Sequence, residues 1–376
     1  MTQVRDSAYN QNVLAKRFDN NQPVSDRRRP TIRDVAREAG VSIATVSFAL
    51  NDGPRKVAPA TRQRILEAAR KLDYQPSPVA RSLVKKRVGA IGVAFNPRHD
   101  RIAGNTYVGE MLDGMGAAAR ELGYNVLLYT ALIDHADDLS IRRLRSAHID
   151  GLICLAPPAG WPVLSRLCNS RIPFVLAGSR SANDGICWVD CDNEAGARAA
   201  VEHLIEQGHT RIAHITGGLW QVDARLRLEA YKQTLAAYGL PFDPDLVFPG
   251  DFSYERGAQA LRRFLQLSAP PTAVFAASDN SALGLLEEAR AVGVRVPEDL
   301  AVVGFDDSSW CATTEPPLSS VRQPVAEIGA TAVRHLHSLL ENGPAERTTV
   351  LATQLVVRES SKFVRGPGLT RAKPEA

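Results

Sequence analysis

The sequence has little that would tie it to a membrane, a metal or an oxidising compartment. No apolar run approaches the ~18 residues that a spanning helix requires, so no membrane association is expected. The first thirty residues are polar and lack the apolar stretch of a secretory signal, which places the chain, by expectation, in the cytoplasm. The five cysteines, Cys154, Cys168, Cys187, Cys191 and Cys311, form no C-x-x-C pair and are odd in number. That pattern fits free thiols in a reducing compartment best. Cys187 and Cys191 lie four apart without a nearby histidine pair, and His203, His209 and His214 offer no i, i+4 ligand spacing, so no metal is expected. Also missing are a G-x-G-x-x-G after the first strand, a P-loop and a G-x-S-x-G elbow. No catalytic residue and no cofactor is therefore expected.

What is present is length, a core and a divided charge. The chain has 376 residues, 44% of them hydrophobic, enough for two or three domains with a sizeable interior. Its formal net charge of +4 hides an asymmetry. Residues 1–87 hold 18 Lys and Arg against 8 Asp and Glu, whereas residues 88–376 hold 27 against 33. A basic front on an acidic body suits a phosphate-binding head on a sensor. Arg27, Arg28 and Arg29 alone would equally suit a solvated tail, but Arg33, Arg37, Arg55, Lys56, Arg62 and Arg64 fall within the expected head.

The head centres on Thr31 to Asn51, TIRDVAREAGVSIATVSFALN. Thr31 and Asp34 form a capping-box pattern, and Ile32, Val35, Ala36 and Ala39 follow helical spacing. Gly40 suits the left-handed stop, and Ser42 can cap a second helix whose Val46, Ala49 and Leu50 turn back on the first. Ile43, Ala44, Ser47 and Phe48 are left wholly or partly outside. Spacing alone fits an ordinary helical hairpin as well as a DNA-reading one. A third helix starts near Pro59 behind Ala58, a residue unable to cap it, and Ile65, Leu66, Ala69 and Leu72 are expected to face the hairpin.

The fixed letters T-I-x-D-V-A-x-x-A-G-V-S-x-x-T-V-S-x-x-L-N are all matched, and on them this segment resembles the DNA-binding head of the lactose-repressor (LacI/GalR) family. The resemblance runs on through PSPVARSLVKK, similar to the family hinge, and through DNEAGARAAVEHLIEQGHTRIAHI, DARLRLEAY, PTAVFAASDNSALG and VPEDLAVVGFDD. It implies an α/β protein. A helix-turn-helix domain over 31–75 and a hinge over 76–87 would lead into a two-lobed core with parallel sheets over 88–361, like that of periplasmic binding proteins. Residues 1–30 read as a disordered basic extension and 362–376 as a flexible tail. Without a leucine heptad in that tail, a homodimer is the expected assembly.

The core reading also stands on pattern. Strands VGAIGVAF, NVLLYT, GLICLA and PFVLA alternate with helices near 107–122, 137–147 and 161–169. RIAHIT, TAVFAA and LAVVGF alternate with helices near 192–207, 223–238, 253–267 and 279–292. Near-continuous apolar strands with helical crossovers mean parallel sheets covered on both faces, with ligands outside the strand carboxyl ends.

The resemblance assigns roles residue by residue. Ser42, Thr45 and Ser47 would meet phosphates of double-stranded DNA at a palindromic operator, with Asn51 at the helix end a phosphate or base contact. Ile43, Ala44 and Phe48 take the base-reading places. Leu83, beside Arg81, matches the leucine wedged into the minor groove. A small polar effector, carbohydrate or a related metabolite, would meet Arg227, Asp306, Phe252 and Tyr107, with Asp223 a further candidate. Gly178 in VLAGS stands where the family carries a first-lobe aspartate. Read without the family, Arg227 and Asp306 would suit a surface ion pair. The function implied is a DNA-binding transcriptional regulator, a repressor controlled by its effector. The competing readings are a sugar-phosphate enzyme or a transport-type binding protein with an appended DNA-binding head.

Overall fold

The computed structural model describes residues 30–50, 57–74, 87–95, 105–129, 149–343 and 347–362. Asn51, Arg81, Leu83, hinge residues 76–86, the helix expected near 137–147 and the terminal segments lie outside the described residues. Two compact units emerge, Met1–Arg87 and Val88–Ala376. Among the described residues no helix is long and apolar enough to cross a membrane.

The head holds three helices, α1 (Ile32–Ala39), α2 (Ile43–Leu50) and α3 (Pro59–Lys71). Its caps follow the sequence. The Asp34 carboxylate accepts from the Thr31 amide at 2.8 Å and from its hydroxyl at 2.7 Å. Gly40 ends α1 at φ 63, a left-handed conformation that costs glycine nothing. Ser42 Oγ accepts from the Thr45 amide at 3.1 Å, opening α2. Ala58 gives α3 no side-chain cap. The interior is built on Val35, Val46 and Ile65, with Ala36, Ala39, Ala49, Ala68 and Ala69 filling between them. Leu66, expected inside, is 36% exposed, and Ala68 is buried instead. Three large aliphatics are a small core, and each contributes only about 1.5–3 kcal/mol.

In the core, one six-stranded sheet has the order β11-β5-β4-β3-β1-β2. Its members are β1 (Ala90–Phe95), β2 (Asn125–Tyr129), β3 (Gly151–Leu155), β4 (Phe174–Ala177), β5 (Cys187–Cys191) and β11 (Thr348–Leu351), all parallel. The second has the order β12-β10-β9-β8-β6-β7. It comprises β6 (Ile212–Ile215), β7 (Val247–Phe248), β8 (Ala273–Ala276), β9 (Ala301–Asp306), β10 (Ser319–Arg322) and β12 (Gln354–Val356). There only the β10–β12 pair is antiparallel. Strands β1, β3 and β8 are buried along their whole length, as parallel strands covered on both faces must be.

The helices are α4 (Thr106–Glu121), α5 (Pro162–Cys168), α6 (Asn193–Glu206), α7 (Val222–Ala237), α8 (Tyr254–Leu265), α9 (Asp279–Ala291) and α10 (Val325–Leu340). Two consecutive strand series suggest two lobes that follow one another along the chain. The structure departs from that simple order. Helix α10 returns to the first lobe and packs on α4, β3, β4 and β5. The approach is close enough that a Cβ on Gly114 would collide with the Ala326 carbonyl. Strand β11 then joins the first sheet and β12 the second, so the chain passes between lobes three times, at Asp192, at Gln323–Pro324 and at Ala352–Thr353.

Those three passages are tied together. The Asp192 amide donates to the Leu351 carbonyl at 2.8 Å, and the Thr353 hydroxyl donates to the Asp192 carbonyl at 3.2 Å. Cys191 Sγ donates to Gln323 Oε1 at 3.0 Å, and Gln323 Nε2 donates to Asp306 Oδ1 at 2.6 Å.

Candidate functional site

The polar side chains of the core gather where its parallel strands end. Gly178 follows β4, Asp190 lies near the end of β5, Ala277 follows β8 and Asp306 ends β9. Carbonyl ends of strands and amide ends of the following helices leave backbone groups facing a shared crevice, the usual place for ligands in such sheets. The two lobes touch across it. The Ala159 amide donates to the Trp220 carbonyl at 2.8 Å, and the Thr106 and Ser308 hydroxyls lie 3.2 Å apart.

Arg227 is the centre of the cleft. Helical spacing puts it one turn from Asp223 on the same face of α7. It is 3% exposed, which contradicts the surface ion pair that its sequence alone would suit. Nε donates to Asn193 Oδ1 at 2.8 Å and Nη1 donates to the Ala277 carbonyl. Nη2 is 3.9 Å from an Asp223 oxygen. The guanidinium lies 3.7 Å over the Phe305 ring and 5.7 Å from that of Phe252. A planar cation stacked on one side and hydrogen-bonded at its edge is fixed in orientation before any ligand arrives.

Asp306 is the second anchor. Gln323 and the Asp279 amide hold its two oxygens, at 2.6 and 3.4 Å. Burial and then the charge of Asp279 push its carboxyl well above the ordinary carboxylate range, against the pull of Arg227. Asp306 has φ 136 and Phe252 has φ 69. Both are non-glycine residues in sparsely populated backbone regions, which concentrate at ligand sites. Tyr107 stands on the first turn of α4, behind an Asn105 side chain that caps the helix by accepting from the Val108 amide at 3.2 Å.

All five residues expected at the effector site, Tyr107, Asp223, Arg227, Phe252 and Asp306, therefore belong to this one cleft. The sequence reading misses others. Asp190 is buried, its Oδ2 accepting from Arg180 Nε at 3.1 Å and Asn193 Nδ2 at 2.9 Å, and its Oδ1 from the Cys191 amide at 2.8 Å. Burial, with the charge of Asp223 adding and Arg180 opposing, pushes its carboxyl up to about 7. Asp279 accepts from the Ser320 hydroxyl, the Ser308 amide and Cys311 Sγ. Asn193 and Asp279 each begin a helix just past a strand, a sequence position that could have drawn notice.

In the head, Ile43 is 45% exposed, Ala44 and Ser42 are exposed, and Thr45, Ser47 and Phe48 are half-buried. The outer side of α2 thus presents three apolar groups among three hydroxyls. Thr45 Oγ1 is 2.8 Å from Ser42 Oγ, so two of those hydroxyls form one pair.

Residues 31–77 match the lacI family of bacterial regulatory proteins, and residues 201–361 match the periplasmic binding protein-like domain. The chain is 37% identical over 337 residues to the HTH-type transcriptional regulator CelR of Thermobifida fusca, spanning 89% of this chain and 99% of that protein. The solved transcriptional regulator CelR–cellobiose complex is similar at TM-score 0.67 and 34% identity, covering 88% of this chain and all of that one (100%). A lac repressor dimer bound to operator and the anti-inducer ONPF aligns at TM-score 0.78 and 28% identity over 89% of this chain and 99% of that one. With head, lobes and full-length relatives in agreement, the chain belongs to the lacI family of bacterial regulatory proteins: it is a DNA-binding transcriptional regulator, not an enzyme.

Proposed function

We propose that this regulator is a cytoplasmic repressor that binds a palindromic operator as a homodimer and is controlled by an uncharged saccharide held between its lobes. The carrying observation is the constellation around Arg227, built from residues of both lobes, so a ligand filling it acts on the lobe arrangement directly. Ser42, Thr45 and Ser47 meet phosphates, Ile43, Ala44 and Phe48 face the bases, and Asn51, Arg81 and Leu83 extend that contact. Only a difference in effector affinity between two core states can move the operator equilibrium.

Charge selects the ligand class. Asp190, Asp223 and Asp306 lie around Arg180 and Arg227, with Asp279 behind Asp306, and burial first, then repulsion from Asp223 and Asp279, already raises Asp190 and Asp306. A phosphate brought into this field would add repulsion at short range and low dielectric. A neutral polyol meets the same carboxylates as a hydrogen-bond donor and adds none. The CelR–cellobiose complex supports a saccharide of that kind.

Calorimetric titration with cellobiose, other neutral disaccharides and their phosphates tests the reading. Binding by at least one neutral sugar and by none of its phosphates is expected. In Arg227→Ala that binding should fall by several kcal/mol, since a buried polar partner set is left unsatisfied. Preferential binding of the phosphates would overturn the proposal.

A further inference from the structure

Tyr107 and Gly178 compete for one volume. Gly178 follows β4 at φ 68, and its amide donates to the Val189 carbonyl at 2.9 Å, so its backbone is fixed. A Cβ built there would fall well inside van der Waals contact of the Tyr107 hydroxyl oxygen. The same Cβ would sit 3.4 Å from Tyr107 Cζ and 3.6 Å from Met111 Cε, both ordinary contacts. Apart from the backbone conformation, one oxygen atom is therefore the whole steric obstacle. That oxygen also lies within the fields of Asp190 from the first lobe and Asp223 from the second, with Arg227 nearby.

We propose that Tyr107 is a specificity-determining residue of the cleft, its phenol hydroxyl standing as a first-lobe polar group in space that a side chain at residue 178 would otherwise take. The inference rests on the effector reading above and narrows it. A carboxylate at that place accepts two hydrogen bonds and could hold a vicinal diol. A phenol is neutral, donates one bond and accepts through one oxygen, and presents an aromatic face. Burial and the two carboxylates keep its proton on throughout the physiological range. At Tyr107 the first lobe thus reads a single hydroxyl or ring oxygen of the saccharide, beside an apolar C–H face, rather than a diol.

The test has a ligand-free arm and a ligand arm on the full chain. In the first, melting temperatures are measured for the parent, Tyr107→Phe, Gly178→Ala and the double variant. The left-handed backbone at 178 disfavours alanine equally in both backgrounds, so the difference between them reads only the collision. Gly178→Ala should lower the melting temperature clearly beside Tyr107 and by much less beside the phenylalanine. Should Gly178→Ala alone fail to fold, folding of the double variant is the expected rescue. Equal losses in both backgrounds, or a double variant as unstable as the single, overturn the shared volume.

In the second arm, cellobiose and its monodeoxy analogues are titrated against the parent and Tyr107→Phe. The substitution should weaken cellobiose about tenfold while leaving one deoxy analogue nearly unchanged, because that analogue lacks the hydroxyl the phenol reads. A common factor across all analogues means Tyr107 only supports the fold, and overturns the specificity role. A parent that binds no neutral saccharide sinks the effector reading instead, and the melting arm then decides the Tyr107–Gly178 pairing by itself.

Discussion

At the residue scale, the outer side of α2 is chemically blunt. Ile43, Ala44 and Phe48 carry no hydrogen-bonding side-chain group, so they cannot make the bidentate contacts that separate guanine from adenine. They can pack on a thymine methyl. Phe48→Arg should therefore move half-site preference towards guanine at one position by about 1–3 kcal/mol, leaving the operator centre unchanged. Selection of bound sequences from a random library checks this, and a shift at the centre alone would remove α2 from the major groove. Asp190 makes a different residue-scale prediction. Its carboxyl moves from 3.8 in the unfolded chain to about 7 in the core, under the influence of burial, Asp223, Arg180 and Arg227. A raised acid binds its proton more tightly when folded, so its contribution to stability is complete below about 4 and lost as pH rises through about 7. Asp279, Asp306 and Glu110 are raised in the same direction. His203, His209 and His214, lowered by burial, pull the other way in the parent and in Asp190→Asn alike. The test is therefore the difference: between pH 5 and pH 8 the parent should lose melting temperature relative to Asp190→Asn, by roughly 2–4 °C per kcal/mol. Equal changes in both would show that Asp190 does not titrate in this window.

At the scale of elements, the third helix of the head begins without a cap. Ala58 already has cap-compatible backbone angles, φ −55 and ψ 139, but no oxygen to offer. Ala58→Ser should stabilise the head by about 1 kcal/mol, seen as a higher melting transition for that unit in calorimetry of the full chain. No change would mean that water already satisfies the first turn. Most elements were legible because burial and period coincide. The AIGVAF and AVFA runs are strands, and α4 and α7 lie within a residue or so of their expected bounds. Strand β5 was harder to see, since CWVDC sets an aspartate and a tryptophan among apolar residues. Missing that strand also hid Asp190, whose importance comes from its place near the strand end. Helix α10 does carry the signal, with Val325, Ile328, Ala332, Val333 and Leu336 buried at helical spacing. Its return to the first lobe does not follow from its own residues, because the groove it fills is made by α4 and β3–β5. Arg227 shows the same limit: one sequence position fits a surface pair or a buried anchor, and only the Phe305 ring and the Asn193 amide decide between them.

At the scale of the whole molecule, the core is two lobes joined by three passages whose hydrogen bonds run into the cleft. Gln323 joins Cys191, on the first-lobe side of the first passage, to Asp306 in the cleft. Asn193, just beyond that passage, contacts both Asp190 and Arg227. A ligand that engaged Arg227 and Asp306 would therefore act on residues hydrogen-bonded directly to the passages between lobes. Such coupling needs no long relay, because the binding groups and the hinge groups are neighbours. On the proposed reading it also separates two properties that a single substitution can distinguish: response to effector would need Arg227, and operator affinity without effector would need the head. The most direct measurement is operator binding by fluorescence anisotropy at fixed salt, using a site selected from a random library. Parent protein and Arg227→Ala are compared with and without a saturating neutral disaccharide that calorimetry shows to bind the parent. That sugar should change the parent's operator affinity by about tenfold or more, while Arg227→Ala should bind operator like the ligand-free parent and ignore the sugar. Equal responses in both proteins, or loss of operator binding by Arg227→Ala without sugar, would contradict the account.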